Sequence, residues 1–253
     1  MSTMRSFSYI IPFNQKLDDI HLLRKVLEWL KMFKSIEVIV VECYEKSPIL
    51  NELSYPFLHI PVKNDGTVFS PSWAYNIGAR RSSTKVLIFG NTLTVTSPEN
   101  IKTAISLINK NQYQMVKPFN CEINIKPSQL TNFKRMETEI SKPVKGEKDD
   151  DYSHLCSGIT VYDKKSLLEI GGWEERFKMD CYYDFQSYKT RILLNYTELD
   201  GKGFYFDKKR AHNSNIVTAD VNMNNRLKST PSQGLINYIN TTIPTSGMIN
   251  RFD

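Results

Sequence analysis

The sequence predicts an α/β protein built on one wound sheet flanked by helices. Strand and helix signals alternate through the first 110 residues, and such alternation indicates parallel strands joined by helices. Residues 36–41 are almost continuously β-branched and apolar, which is typical of a central parallel strand covered on both faces. The 253 residues fall between one and two average domains, and we predict a single domain because α/β folds of this length often form one.

The composition is that of an ordinary globular protein, with 40% hydrophobic and 24% charged residues. No apolar run reaches the roughly 18 residues of a membrane-spanning helix, and residues 1–13 lack the apolar stretch of a signal peptide. We therefore expect a cytoplasmic protein without a transmembrane segment, which could still bind peripherally to a membrane. The net charge of +6 favours anionic partners without selecting among nucleotides, lipid surfaces and nucleic acids.

The elements of the first half follow from apolar runs and helical periodicity. Predicted strands are short apolar runs bounded by polar or turn residues, the first of them ended by Pro12, at residues 8–11, 36–41, 57–61 and 86–89. Predicted helices show apolar residues at helical spacing or a helix-start signal, at residues 17–33 and 70–82 and in a third helix that begins at Ser97-Pro98-Glu99.

The second half is less regular. Residues 120–151 are polar and charged, and we predict that they form an irregular segment. Periodic sequence returns afterwards and predicts strands at residues 158–162 and 202–207 and helices at residues 164–170 and 183–194. Gly171 and Gly172 are expected to end the first of these helices, because glycine readily adopts the left-handed conformation of a helix C-terminus.

Two segments near predicted strand and helix ends have a distinctive composition. The first strand runs into Pro12-Phe13-Asn14, and the second ends at Glu42. A carboxylate at the carboxyl end of a parallel strand can accept two hydrogen bonds from a sugar diol or a base, although a solvated acid would have the same sequence. Residues 74–79 read Ala-Tyr-Asn-Ile-Gly-Ala, with Asn76 in a predicted helix that packing alone would also explain.

A third segment reads Gly171-Gly172-Trp173-Glu174-Glu175-Arg176-Phe177, and Asp184 follows seven residues later. Taken together and in this order, the three segments resemble the GT-A glycosyltransferases of the family 2 kind. The second half is similar to the galactosyltransferase-like segment of chondroitin polymerases and polypeptide N-acetylgalactosaminyltransferases. The third segment resembles that family's GGWDExF…GGED pattern, although Cys181-Tyr182-Tyr183 stands in place of its second pair of glycines and the residue after them. The resemblance covers roughly residues 8–212.

The resemblance implies a fold and a reaction. The fold would be a single GT-A domain, a Rossmann-like wound mixed sheet flanked by helices. Residues 1–119 would form its nucleotide-sugar-binding half, residues 120–212 its acceptor and catalytic half, and residues 213–253 a tail packed on the domain. The reaction would move a sugar from a nucleoside-diphosphate sugar, most simply a UDP-sugar, to an acceptor hydroxyl.

The resemblance also implies roles for single residues. Asp184 matches the carboxylate that acts as general base in inverting members, although it could instead cap the helix that follows. The donor site would be formed by Pro12, Phe13, Asn14, Glu42, Asn76, Gly90, Asn91 and Thr92, and the acceptor site by Trp173 and Glu174.

One departure from the family concerns the divalent cation. After its fourth strand the family carries a DxD motif, whose carboxylates hold Mn²⁺ or Mg²⁺ against the diphosphate. Here Phe89-Gly90-Asn91-Thr92 occupies that place, and neither Gly90 nor Thr92 is acidic. Three alternatives follow: His212 holds the metal with the diphosphate, the chain is inactive, or basic side chains replace the metal, for which the candidates are Arg80, Arg81, Lys208, Lys209 and Arg210.

Two other functions remain open at the level of the sequence. The chain could be a non-catalytic module that binds a sugar nucleotide or a glycan. It could also transfer sugar to hydroxylated bases of viral DNA, which would have to be flipped out of the stack. A glycan or lipid-linked acceptor is the default by family, and the sequence contains no clear basic helix or aromatic stacking platform that would favour nucleic acid.

Overall fold

The computed structural model describes residues 5–50, 53–63, 69–125, 155–175 and 181–206. The strands in these ranges are β1 (Phe7–Asn14), β2 (Ile36–Tyr44), β3 (Leu58–Lys63), β4 (Val86–Phe89), β5 (Thr94–Thr96), β6 (Met115–Lys117), β7 (Cys121–Ile125), β8 (Thr160–Asp163), β9 (Tyr196–Glu198) and β10 (Lys202–Phe206). The helices are α1 (Ile20–Leu30), α2 (Pro71–Arg81), α3 (Pro98–Asn109), α4 (Lys164–Glu169) and α5 (Cys181–Leu193).

Seven strands form one sheet in the order β3-β2-β1-β4-β8-β6-β9, and β5-β10-β7 form a small second sheet. The strands β1 to β4 are parallel to one another, whereas β8 runs antiparallel to both β4 and β6. The predicted wound mixed sheet flanked by helices is therefore confirmed. We call the edge where β1 to β4 end the carboxyl edge, and the opposite edge the amino edge.

The strand order reverses between β1 and β4. The chain moves outward from β1 to β2 and β3, and α2 then returns it to the other side of β1, where β4 pairs. Crevices for ligands form at such a reversal, outside the carboxyl ends of the strands. The topology alone therefore points to a site where β1 and β4 end.

Apolar side chains cover both faces of the large sheet because neighbouring residues of a strand point to opposite sides. Tyr9 and Ile11 join the core beneath α1, α3 and the small sheet, a side that we call the α1 face. Ile10, which lies between them, joins the core beneath α2 and α4 on the opposite side, the α2 face. The two faces thus have separate cores on one shared sheet.

The strand β1 continues beyond Pro12 to Asn14, so the prediction that Pro12 ends it is wrong. Its register explains why the proline is tolerated. β1 pairs with β2 along its whole length, but with β4 only as far as Ile10. Pro12 therefore lies where one side of the strand has no neighbouring strand, and there its missing amide hydrogen has little cost.

The predicted helices and longer strands are found near their expected bounds, and the differences concern short strands. Residues 121–125, predicted to be irregular, form β7 at the side of the small sheet. The strands β5, β6 and β9 have three residues each, which is too short for an alternation of apolar and polar residues to show. The rest of the predicted irregular segment and the predicted C-terminal tail lie outside the described residues.

Candidate active site

The segment after β4 lies where the reversal of strand order predicts a crevice, and hydrogen bonds hold it in place. The amide of Gly90 donates to the carbonyl of Ile10 on β1 at 3.1 Å, and the hydroxyl of Tyr75 on α2 donates to the carbonyl of Gly90 at 3.0 Å. Asn91 accepts a hydrogen bond from the amide of Leu93 through its side-chain oxygen at 2.8 Å. The turn that follows β4 is therefore held to β1, to α2 and by its own side chain.

Gly90 has room for its backbone only. A Cβ atom added there would lie 2.0 Å from the hydroxyl oxygen of Tyr9. The Tyr9 ring is fully buried and packs edge-to-face on Trp29 at 5.8 Å, so it is not a flexible chain end that could turn aside. In this packing, position 90 cannot carry a carboxylate.

Asp18, which the sequence reasoning missed, connects the end of β1 to the segment that follows β4. One oxygen of its carboxylate accepts from the amide of Asn14 at 2.7 Å, and the other accepts from the hydroxyl of Thr92 at 3.4 Å. The neighbouring Asp19 caps α1 by accepting from the amide of His21. Two adjacent acids before a helix were the available signal, because a helix needs only one of them as its cap.

The other predicted residues on β1 contribute differently. Asn14 lies at the strand end with 7% exposure, and its side-chain oxygen accepts from the amide of Lys16 at 2.9 Å. Phe13 is buried in the core of the α1 face, and Pro12 is buried within the strand. Both side chains are therefore buried, and the prediction that this strand end lies against the donor stays a prediction.

Glu42 is fully buried and its carboxylate is occupied within the protein. It accepts from Gln15 at 2.7 Å and lies 2.6 Å from a ring nitrogen of His59. It also accepts from the backbone amides of Ile49 at 2.9 Å and Leu50 at 3.3 Å. Glu42 thus holds the loop after β2, and the prediction that it reads the nucleotide stays a prediction.

Asn76 links two of the segments that suggested the family. Its side-chain oxygen accepts from the amide of Trp173 at 2.9 Å, and its side-chain nitrogen donates to the carbonyl of Trp173 at 2.8 Å and to Glu175 at 2.9 Å. The residue is only 4% exposed. The Asn76 amide therefore fixes the turn of residues 171–175 against α2, and its predicted contact with the donor stays a prediction.

Trp173 lies in the core of the α2 face, and the prediction that it and Glu174 contact the acceptor stays a prediction. Its side chain has no exposed area, and its ring centroid lies 4.7 Å from that of Tyr75 and 5.4 Å from that of Phe89. Gly171 and Gly172 before it have φ values of 80° and 66°, as predicted for a helix end. Glu174 is also buried, with 6% exposure, so neither side chain lies on an open surface.

Asp184 lies in the first turn of α5, which begins at Cys181. The alternative that Asp184 caps this helix is therefore wrong, because the helix starts three residues earlier. The direction of α5 brings this turn to the carboxyl edge. The helix leads into β9, which is parallel to β6 and begins at the amino edge, so its first turn lies at the other edge, with the ends of β1 and β4.

The remaining candidates for charge at the site are distributed as follows. His212 and residues 208–210 lie outside the described residues. Arg80 and Arg81 end α2 directly before β4 begins, which places them at the amino edge, away from the crevice. Within the described ranges, no group of three or more His, Cys, Asp or Glu side chains could hold a metal ion.

Lys117, at the carboxyl end of β6, is a buried cation that the sequence reasoning also missed. It is 4% exposed, and its ammonium lies 3.7 Å from Glu122 and 3.4 Å from the hydroxyl of Ser157. Burial lowers the pKa of Lys117, while the nearby carboxylates of Glu122 and Glu198 act in the opposite direction. A positive charge is thus held at the same edge as the crevice.

A wound mixed sheet of this kind, with polar groups gathered at the reversal of its strand order, has the architecture of the GT-A-like fold. The chain belongs to the family described as glycosyltransferase like family 2, which matches residues 8–217. No curated protein matches the sequence. None of the helices in the described part of the chain combines the length and apolar character needed to cross a bilayer.

The fold is similar to that of S. aureus TarS. A crystal structure of TarS residues 1–349 has a TM-score of 0.55 and 13% identity over 80% of this chain and 60% of that one. The same fragment in complex with UDP-GlcNAc has a TM-score of 0.54 and 12% identity, and the match covers 84% of this chain and 61% of the fragment. The crystal structure of TarS itself has a TM-score of 0.56 and 12% identity, and the match covers 95% of this chain and 43% of TarS. At this identity the likeness shows the fold, and the chain spans well under two thirds of TarS.

Proposed function

We propose that this protein is an inverting glycosyltransferase that moves a sugar from a UDP-sugar to an acceptor hydroxyl. The observation that carries the proposal is that two features share the carboxyl edge of the sheet: the reversal of strand order between β1 and β4, and the first turn of α5 with Asp184. In the reaction, Asp184 takes the proton of the acceptor hydroxyl. The freed oxygen attacks the anomeric carbon, and the bond to the diphosphate breaks with its electron pair leaving on UDP.

The donor would lie in the crevice where β1 and β4 end. Support comes from the polar groups there, Asn14, Asp18 and Thr92, and from the backbone turn at Gly90. The crystal structures of the TarS fragment in complex with UDP and with UDP-GlcNAc favour UDP as the nucleotide. Glu42 would act indirectly, by holding the loop of residues 45–50 beside the site.

The oxygen donors at the crevice fit a divalent cation, provided that the carboxylate comes from the loop after β1. Mg²⁺ and similar hard cations are commonly bound through one or two carboxylates, waters and substrate phosphates. Asp18 supplies one carboxylate, with the hydroxyl of Thr92 beside it, whereas Gly90 has no room for one. When bound, Mn²⁺ or Mg²⁺ would neutralise the charge that develops on the leaving diphosphate.

The acceptor is proposed to be a glycan or a lipid-linked sugar. Nucleic acid remains the lesser alternative, and affinity for duplex DNA that falls steeply with salt would favour it. The non-catalytic alternative draws its support from the missing acids at positions 90 and 92. Hydrolysis or transfer of any nucleotide-sugar by the purified chain would exclude that alternative.

The role of Asp184 is tested by Asp184→Asn. We expect turnover to fall by about 10²- to 10⁴-fold, because general base catalysis contributes an effect of this size. Binding of UDP, measured as the rise in melting temperature, should be unchanged because Asp184 is not assigned to the donor. Asp163→Asn is the matched control, since Asp163 caps α4 at the amino edge and asparagine caps equally well. Undiminished turnover in Asp184→Asn would remove this residue from the mechanism.

The role of Asp18 is tested by the effect of manganese on UDP binding. In the wild-type chain, UDP should raise the melting temperature more with Mn²⁺ than without it. In Asp18→Asn this increment should disappear while metal-free binding persists, and Asp19→Asn, a change in the exposed neighbouring cap, should retain it. If Asp18→Asn keeps the whole increment, or if the wild-type chain has none, Asp18 does not hold a cation.

A further inference from the structure

Among the described side chains of helix α5, several polar ones are buried on the α2 face, beside the apolar Ile192 and Leu193. A helix on a sheet normally buries an apolar stripe, but four polar residues of α5 have no exposed area, namely Gln186, Ser187, Lys189 and Thr190. Burying polar groups costs free energy unless they are hydrogen-bonded. Such a helix therefore needs specific partners, and three of these residues have them.

Each of the three contacts a different segment of the α2 face. The hydroxyl of Ser187 accepts from the amide of Cys156, in the loop before β8, at 2.9 Å. The ammonium of Lys189 donates to the carbonyl of Gly172, in the turn after α4, at 2.7 Å. The hydroxyl of Thr190 forms a 2.9 Å hydrogen bond with the hydroxyl of Tyr162 on β8. We call these three contacts the α5 anchors.

The groups around Thr190 form an uncharged network. The thiol of Cys156 lies 3.2 Å from the hydroxyl of Tyr162 and 3.7 Å from that of Thr190. Burial raises the pKa of the Cys156 thiol, and burial also raises the pKa of Tyr162 well above its usual value. Both groups therefore stay protonated at neutral pH, and they contribute oriented hydrogen bonds without adding charge.

The anchors lie close to Asp184 along the helix. Ser187 follows Asp184 by three residues, so its contact lies about 4.5 Å further along the helix axis, or nearly one turn. Apolar contacts allow a helix to slide or rotate at a small cost in free energy. Hydrogen bonds to three separate segments instead fix both the position of the helix along its axis and its rotation about that axis. Reacting groups must be held this closely, because a displacement of about 1 Å can lower a rate by about 10²-fold.

We propose that Ser187, Lys189 and Thr190 are positioning residues, which hold the first turn of α5 so that Asp184 meets the acceptor hydroxyl. This inference rests on the proposed function. Lys189 also connects the helix to the turn of residues 171–175, which Asn76 fixes from the other side. Hydrogen bonds therefore connect both α2 and α5 to this turn.

The test uses two variants that remove a hydroxyl and keep the shape, Thr190→Val and Ser187→Ala. Each should lower kcat by about 10- to 100-fold through misplacement of the base. The KM for the donor and the melting shift with UDP should stay unchanged, because the crevice between β1 and β4 is not touched. Thr190→Ser and Ser187→Thr restore the hydroxyl and should recover most of the lost kcat. Thr103→Val, on the exposed side of α3, is the matched control.

Combination with Asp184→Asn separates this inference from the proposed function. If the anchors act through Asp184, Thr190→Val should cause no further loss of the residual activity in the Asp184→Asn background, since residues that act as a unit are not additive. A full further loss there, an equal rise in donor KM, or an unchanged kcat in both Thr190→Val and Ser187→Ala would overturn the inference. Undiminished turnover in Asp184→Asn alone would instead overturn the role of the base.

Discussion

The two faces of the seven-stranded sheet are built by different means. The α1 face is a continuous apolar core, in which the indole of Trp29 donates one hydrogen bond, to the carbonyl of Thr96 at 3.1 Å. The α2 face has an apolar core as well, but hydrogen-bonded side chains cross it at Asn76 and at the α5 anchors. Apolar packing stabilises without direction, whereas buried hydrogen bonds define geometry. We infer that the α1 face mainly stabilises the fold, whereas the α2 face holds the turn of residues 171–175 and the helix α5 in a defined position.

The sharpest test of this comparison pairs one variant on each face. On the α1 face, Leu23→Ala removes a side chain with no exposed area and should lower the free energy of unfolding by about 2–5 kcal/mol. On the α2 face, Asn76→Ala leaves the amide and carbonyl of Trp173 without their partner and should cost about 1–3 kcal/mol. Urea unfolding of both variants measures these values.

The effects of the two variants on kcat should rank in the opposite order to their effects on stability. At a temperature where both are folded, Leu23→Ala should retain wild-type kcat, while Asn76→Ala should lower it because the turn of residues 171–175 loses its attachment to α2. Equal kcat in the two variants would contradict the division of roles between the faces. Asn76→Asp is a further check, since it keeps an acceptor for the Trp173 amide but loses the donor to its carbonyl.

A smaller effect is expected at the amino edge of the α2 face. Burial alone would raise the pKa of Glu37, but hydrogen bonds from Ser8, Ser83 and Arg5 outweigh it, and the pKa lies below the ordinary value of 4.5. Because the folded-state pKa is lowered, the ionised carboxylate stabilises the fold fully above about pH 4.5. This stabilisation is lost as the pH falls from there through the folded-state pKa.

The measurement is the free energy of unfolding as a function of pH. Glu37→Gln should lower it at neutral pH and should make its decline below pH 4.5 shallower than in the wild-type chain. Glu28→Gln is the control, because Glu28 is an exposed residue that pairs with Lys31 within α1. Identical slopes in wild type and Glu37→Gln would show that Glu37 contributes no pH dependence.

The sequence predicted the fold better than the side chains of the site. The helix α2 and the strand β4 were predicted within a residue because helical spacing, as between Trp73 and Ile77, and a buried apolar run are local features. The meeting of strand ends near Asn14 and Gly90 was also predictable, since parallel strands end at one edge. The burial of Glu42 and Trp173 was not, because it depends on partners such as His59 and Tyr75, which the fold brings from elsewhere.

The contact between Tyr9 and Gly90 constrains how this protein can evolve. Since the Tyr9 hydroxyl fills the volume that a side chain at position 90 would need, an aspartate cannot be introduced there by one substitution without displacing a buried ring. A smaller residue at position 9 would have to arise first, leaving a void against Trp29. We therefore expect substitutions at positions 9 and 90 to depend on each other, and each of the two single changes to lower the stability of the fold.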